Sequence, residues 1–295
     1  MLEQLKGLAV CLALVSGYAL AAGEPVDIKD VPSLSPDEGR VGEVRRVDDG
    51  TEFKVCSDPD NMPYSNIRGE GFEDKIAEVL AKDIGKKLSY AYAYNRQGFL
   101  RNTINASRCD VIIGTTSDFD GLRTSNPYYR SGHVFVWRKE SNFKITDWKS
   151  PDLRKGIIGI VDKSPATVPL NDNDLMANAR PYRLQRDLNL PTSFLIDDLA
   201  KGDIDVAIMW GPIAGYYMKQ SKVPLEMAFV PEYNKINLQG KEYWNISVGV
   251  RMKDKDRIKV INEALARNKD KIAQILVDYG IPTVPVLEGD SVFKK

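Results

Sequence analysis

The chain has 295 residues, and its 41 Lys and Arg balance 41 Asp and Glu to a formal net charge of zero. Charge this even, mixed along the whole length, supplies no basic face for nucleic acid or an anionic membrane. The length fits one large or two medium domains.

The first residues read as an export signal. Lys6 precedes an almost wholly apolar run, Gly7 to Leu20 (GLAVCLALVSGYAL), which closes on Ala19-Leu20-Ala21, a small-x-small cleavage pattern. The run falls short of the roughly 20 residues that span a bilayer. The reading is a cleaved secretory signal peptide over residues 1–21 and a soluble product in a bacterial-type periplasm. Cys11 leaves with the leader, and no Cys follows the cleavage site to carry a lipid. No later segment is apolar enough to span a membrane. Residues 22–50 hold Pro25, Pro32 and Pro36 without helical or strand period, and read as a poorly packed extension.

Ordered structure is expected from Glu52. Glu52 to Cys56 alternates and then turns apolar, a strand. A loop dense in turn formers follows, Ser57-Asp58-Pro59-Asp60-Asn61-Met62-Pro63-Tyr64-Ser65-Asn66. Phe72, Ile76, Val79, Leu80 and Ile84 share one face of a helix that Gly85 ends. Lys87 to Tyr92 is a second strand, Gly98 to Ser107 a second helix, and Asp110 to Gly114 a short apolar strand suited to burial on both faces. Ser131 to Arg138 is a long strand leaving this lobe. The plan then repeats: strand 155–161, helix 172–179, strand-like 180–184, helix 192–201 stopped by Gly202, and buried strand 203–210. Strand 244–252 and an amphipathic helical region, 256–278, return to the first lobe.

The expected architecture is α/β: a two-lobed fold with each lobe a doubly wound sheet, a cleft between them and a two-strand hinge. Lobe 1 takes residues 51–140 and 233–295 and lobe 2 takes 141–232, with crossings near 139–143 and 230–235. The two remaining cysteines give opposed signals. An even count in an oxidising compartment favours a disulfide. In a lobe of strand order two-one-three, however, Cys56 ends one strand while Cys109 begins its parallel neighbour, about 10 Å or more away at about 3.3 Å per residue. The topological reading predicts two free, buried thiols.

Chemistry is sparse. One histidine, His133, lies on an apolar stretch and reads as a core or surface side chain; with two cysteines it makes no zinc ligand set. There is no Gly-x-Ser-x-Gly, Gly69-Glu70-Gly71 is too sparse for a phosphate loop, and Asp197-Asp198 reads as a solvated helix face. No catalytic centre and no metal site are expected.

The element order, with CSDPDNMPYSN at 56–66, Gly71-Phe72-Glu73 and Asn126-Pro127-Tyr128-Tyr129-Arg130, resembles the family 3 extracellular solute-binding proteins over roughly residues 50 to 285. The resemblance implies the type II periplasmic binding protein fold. GEGFEDKIAEVLA, RQGFLRNTINASRCDVIIGTT, NPYYRSGHVFV and GDIDVAIMWGPIAGYY narrow it to the MxaJ/XoxJ branch, components associated with PQQ-dependent methanol dehydrogenases in methylotrophs; the subtype stays open. On this resemblance the chain is a non-catalytic accessory protein with a methanol dehydrogenase as partner. It has no cofactor of its own, because PQQ belongs to the dehydrogenase. The alternative is a transporter's solute receptor with a small non-amino-acid molecule in the cleft.

Two departures carry that exclusion. Amino-acid-binding relatives place a carboxylate-clamping Arg about nine residues before the Pro-Tyr pair, where this chain has Asp118. They place an ammonium-holding Asp where it has Trp210. Charged hydrogen bonds contribute about 1.5–3 kcal/mol each, so loss of both clamps costs about a thousandfold or more in affinity. Tyr64, Tyr128, Tyr129, Trp210 and Trp244 are the expected aromatic rim, or else core packing. Arg130 reads equally as a surface residue or a partner contact. Asp58, Asn61 and Asn66 face the expected cleft or serve as turn and cap residues. Calorimetry with the common amino acids should show no micromolar binding; one micromolar constant would overturn the exclusion.

Overall fold

The computed structural model describes residues 48–117, 119–183, 191–232 and 241–287. The expected leader, the extension up to residue 47 and Asp118 lie outside these residues.

Strand β1 (Glu52–Ser57) buries alternate side chains and then its whole end. A hairpin of β2 (Asp60–Asn61) and β3 (Ser65–Asn66) follows. Helix α1 (Phe72–Ile84) buries Phe72, Ile76, Ala77 and Leu80 along one stripe. The Asp74 carboxylate caps it by accepting the N–H of Gly71 at 3.0 Å. Gly85, at φ 71°, ends it in the left-handed region. Then come β4 (Lys87–Tyr92), α2 (Phe99–Asn102), β5 (Val111–Thr116), β6 (Arg123–Thr124) and β7 (Tyr129–Arg138). The second half holds β8 (Ile158–Val161), α3 (Thr167–Asp172), β9 (Ala179–Tyr182), α4 (Phe194–Lys201), β10 (Val206–Trp210), α5 (Gly211–Gln220) and β11 (Leu225–Phe229). Strand β12 (Tyr243–Val250) and helices α6 (Lys255–Arg267) and α7 (Lys269–Asp278) complete the described chain.

The strands pair in the order β4-β1-β5-β12-β7-β10-β8-β9. That row contains one motif twice. In β4-β1-β5 the strands run parallel with β12 antiparallel at the flank. In β9-β8-β10 they run parallel with β7 antiparallel at the flank. The repetition read from the sequence is therefore a repetition of topology, and each antiparallel flank is supplied by chain that has just left the other half. Strand β7 belongs to both. Tyr129 to Gly132 pair with β12, and His133 to Trp137 pair with β10. The strand partners thus change at Gly132–His133, ahead of the crossing expected near 139–143; the second expected crossing falls largely in residues 233–240, outside the described residues.

Helical spacing misjudged several boundaries. The helix expected from Gly98 to Ser107 is a single turn, because Thr103 leaves helical geometry and Ser107 takes φ 59°. The helix expected over 172–179 begins at Thr167 and ends at Asp172, with Pro169 tolerated in its first turn. The region 256–278 is two helices, broken at Asn268, whose amide donates to Ala264 O at 2.9 Å and to Asp83 Oδ1 at 2.8 Å. Helix α5 and strand β11 were not anticipated at all.

The free-thiol expectation is wrong: Cys56 and Cys109 form a disulfide, with Cα atoms 5.3 Å apart. The strand order was right and the register was not. Strand β5 joins β1 near its end, with Val111 level with Val55. The chain enters β5 from a turn in which Arg108 N–H donates to Thr103 O, rather than extending back along β1. Ile104, Ile112 and Leu122 pack around the pair. The bridge spans 53 positions of sequence, a loop whose closure restricts the unfolded chain by about 4 kcal/mol. A Cys56→Ala, Cys109→Ala variant should lose stability of that order in urea unfolding. Mass spectrometry after alkylation without reductant should find neither Cys56 nor Cys109 labelled.

Candidate functional site

A cavity of about 400 Å³ lies between the two half-sheets. The topology explains its position. The carboxyl ends of β1 and β5 supply Ser57, Gly114 and Thr116, the shared strand β7 supplies Tyr129 and His133, and β10 and β12 supply Trp210 and Trp244. Ligands of open α/β sheets bind at such strand ends.

The structure brings Asp58, Asn61, Tyr64, Tyr129, Trp210 and Trp244 to this cavity. Asp58 is buried and engaged: its carboxylate accepts the N–H of Asp60 at 2.9 Å and of Asn95 at 2.6 Å. Burial still pushes its pKa up, and those two hydrogen bonds oppose the shift. Tyr64 packs on Phe72, ring centres 5.3 Å apart. The Trp210 ring meets His133 edge-on at 5.5 Å.

Three other candidates stand outside the cavity lining. Asn66 is a local organiser: Oδ1 accepts from Arg68 and Glu70 N–H, and Nδ2 donates to Glu70. Tyr128 packs against the core of the first half-sheet. Arg130, read as exposed or partner-facing, is 5% exposed. It pairs with Glu232 at 2.9 Å and lies 4.9 Å over the Tyr243 ring, so it ties β7 to the segment after β11. Asp118 cannot be placed, being outside the described residues.

Two groups that the sequence reading passed over matter here. His133 lines the cavity at 8% exposure, and its Nδ1 lies 3.2 Å from Glu242 O. Burial lowers its pKa to about 4, so the ring is neutral near pH 7. Glu73 also lines the cavity, and burial raises its pKa well above 4.5, with the Asp74 charge adding to the rise. A signal for Glu73 was present. Position 73 falls at helical spacing on the face of α1 that buries Ile76, Ala77 and Leu80; Glu73 itself is half-buried there, and a glutamate on that face is out of pattern. Among the described residues the lining contains Asp58 and Glu73 and no Lys or Arg. Among the described residues no cluster of three or more His, Cys, Asp or Glu could hold a metal.

The halves also touch directly beside the cavity. Thr192 Oγ1, just ahead of α4, donates to Met62 O at 2.9 Å and lies 2.6 Å from the Tyr217 hydroxyl of α5. A Cβ on Gly215 of α5 would lie 2.0 Å from Gly280 O, so glycine permits the close packing of α5 on the end of α7. Lys219 Nζ donates to Asp278 O at 2.6 Å along the same seam.

The two shifted groups act on stability with opposite sign. Unfolded His133 takes a proton near pH 6.5 and the folded ring only near 4, so the unfolded state binds more protons between these values. Stability then falls on acidification through that window, by on the order of 3 kcal/mol. Folded Glu73 keeps its proton above 4.5, so its contribution is present at low pH and is lost as pH rises through its raised pKa. In urea unfolding, His133→Gln should flatten the slope from pH 6.5 to 4, and Glu73→Gln should stabilise the protein at pH 7.5 relative to pH 4.5.

No protein-family model matches the chain. The protein named MoxJ from Paracoccus denitrificans is 32% identical over 255 residues, covering 80% of this chain and 91% of its own length. Among solved structures, MxaJ from Methlophaga aminisulfidivorans MPT aligns with a TM-score of 0.71 at 29% identity, covering 79% of this chain and all of that one. The periplasmic binding protein XoxJ from Methylobacterium extorquens AM1 aligns with a TM-score of 0.67 at 34% identity, again over 79% and 100%. The duplicated half-sheets and the cavity between them are thus the type II periplasmic binding protein fold, and the chain belongs to the MoxJ, MxaJ and XoxJ family of that fold.

Proposed function

We propose that this chain is a non-catalytic accessory protein of methanol oxidation, exported to the periplasm, that contacts or helps assemble a PQQ-dependent methanol dehydrogenase. The observation that carries this reading is likeness to MoxJ and XoxJ at 32–34% identity over about four-fifths of the chain. The cavity supports it: among the described residues no Lys or Arg lines the wall to pair with the α-carboxylate of an amino acid. The Cys56–Cys109 disulfide suits an oxidising compartment. Among the described residues no helix is long and apolar enough to cross a membrane. In this reading PQQ belongs to the dehydrogenase.

A second reading, a transporter's receptor for a small non-amino-acid solute, is favoured by the cavity itself, which remains about 400 Å³ and partly polar. Biolayer interferometry against the purified methanol dehydrogenase of the same organism separates the two. Saturable binding at micromolar concentration is expected, weakening with salt if charged rims steer it. No response at tens of micromolar, beside clear stabilisation by a small solute, would transfer the assignment to the receptor.

A further inference from the structure

We propose that the cleft is a binding site for a small organic ammonium ion, held by the Glu73 carboxyl and the rings of Tyr64, Tyr129, Trp210 and Trp244. This does not depend on contact with a dehydrogenase.

The lining charges set the sign of the ligand. Among the described residues Asp58 and Glu73 are the carboxyl groups on the wall, and no described Lys or Arg accompanies them. His133 is held neutral. An anion would meet two carboxyl groups and no described cationic side chain on the wall, so it is disfavoured. An α-amino acid would bring such an anion with it.

The two carboxyls are not equivalent. Asp58 is satisfied by backbone N–H groups. The Glu73 backbone N–H donates to Tyr64 O at 3.0 Å, but its carboxyl has no hydrogen bond or ion pair among the described residues, although the fold makes room for it. Gly114 of β5, at φ 79°, stands against it, and a Cβ there would lie 1.7 Å from Glu73 Oε1. The titratable groups facing Glu73 are Asp74 on its own helix, Tyr64 from the hairpin, and Tyr128 and Tyr129 at the start of β7. The three phenols are pushed well above 10, and none of these groups is a cation. Enclosure favours the protonated form of a carboxyl without a partner; an arriving cation favours the ionised form and offsets that enclosure with an ion pair.

The rings supply the rest. Aromatic faces attract ammonium groups within about 6 Å, more strongly when water is excluded. One face of Trp244 already does so within the molecule, with the Lys241 ammonium 4.5 Å from the ring centre. The cavity has the size for a cation of a few heavy atoms. On binding, the Glu73 proton passes to solvent, leaving carboxylate and ammonium paired.

The test is isothermal titration calorimetry of the full chain with methylammonium, trimethylammonium and tetramethylammonium chlorides. Potassium chloride, acetate and mannitol serve as comparisons, and buffers of differing ionisation enthalpy are used near pH 6.5. At least one ammonium salt should bind where the comparisons do not, releasing about one proton per site. Glu73→Gln should weaken binding by about tenfold or more and abolish the proton release, while Trp244→Leu should weaken binding and keep the release. The proposal is overturned if no ammonium salt binds up to about 50 mM, if Glu73→Gln binds equally well, if no proton is released, or if mannitol binds better. Should Glu73→Gln not fold, proton release by the unaltered chain and the Trp244→Leu titration decide it.

Discussion

Strand β7 is the constraint on which the molecule turns. Its first residues complete one half-sheet against β12, and its remainder completes the other against β10. A single ten-residue strand cannot pair on both sides of a gap without setting the relation of the halves. The change of partner occurs at Gly132–His133, where a Cβ on Gly132 would lie 2.6 Å from the Tyr243 ring. Tyr129 and His133, on either side of that change, both line the cavity. The site is where it is because the sheet changes hands there.

The electrostatics of the cavity follow from the same enclosure. Protein surrounds both His133 and Glu73, and burial disfavours the charged form of each. Each is thereby biased towards its neutral form, in a lining that is acidic in composition. Tyr64 and Trp210 line the cavity from opposite half-sheets. The consequence is selectivity by exclusion. The fold shared with solute-binding relatives remains, and the charge that would hold an amino acid's carboxylate is missing from the described wall.

Contacts beside the cavity give the halves an attachment that needs no ligand. Met62 receives Thr192, and α5 seats its glycine face on the end of α7. These contacts lie between the half-sheets, so they resist opening of the cleft directly. A surface presented by such a joined pair keeps one shape, which suits recognition by a protein partner.

Much of this was legible in the sequence. Periodicity located β1, α1, β4, β5, α4 and β10, because each is a strand or helix whose apolar pattern is produced by a single core. The repetition of strand and helix order disclosed the two halves, and Trp210, expected at the cleft, lines the cavity. Tertiary structure alone decided the rest. The disulfide depended on where β5 enters beside β1, and register between strands distant in sequence leaves no periodic trace. Helix α5 was hidden because Gly211, Pro212 and Gly215 lower helix propensity, and only close packing against Gly280 explains the glycine at 215. Arg130 looked like a surface charge until Glu232 and Tyr243 were brought to it. Glu73 stood visibly out of pattern in the chain, but whether it met a cation, solvent or an enclosed cavity is a property of what surrounds it. Local sequence determines which face of an element is apolar; only the assembled fold determines what that face, and the odd polar residue on it, will touch.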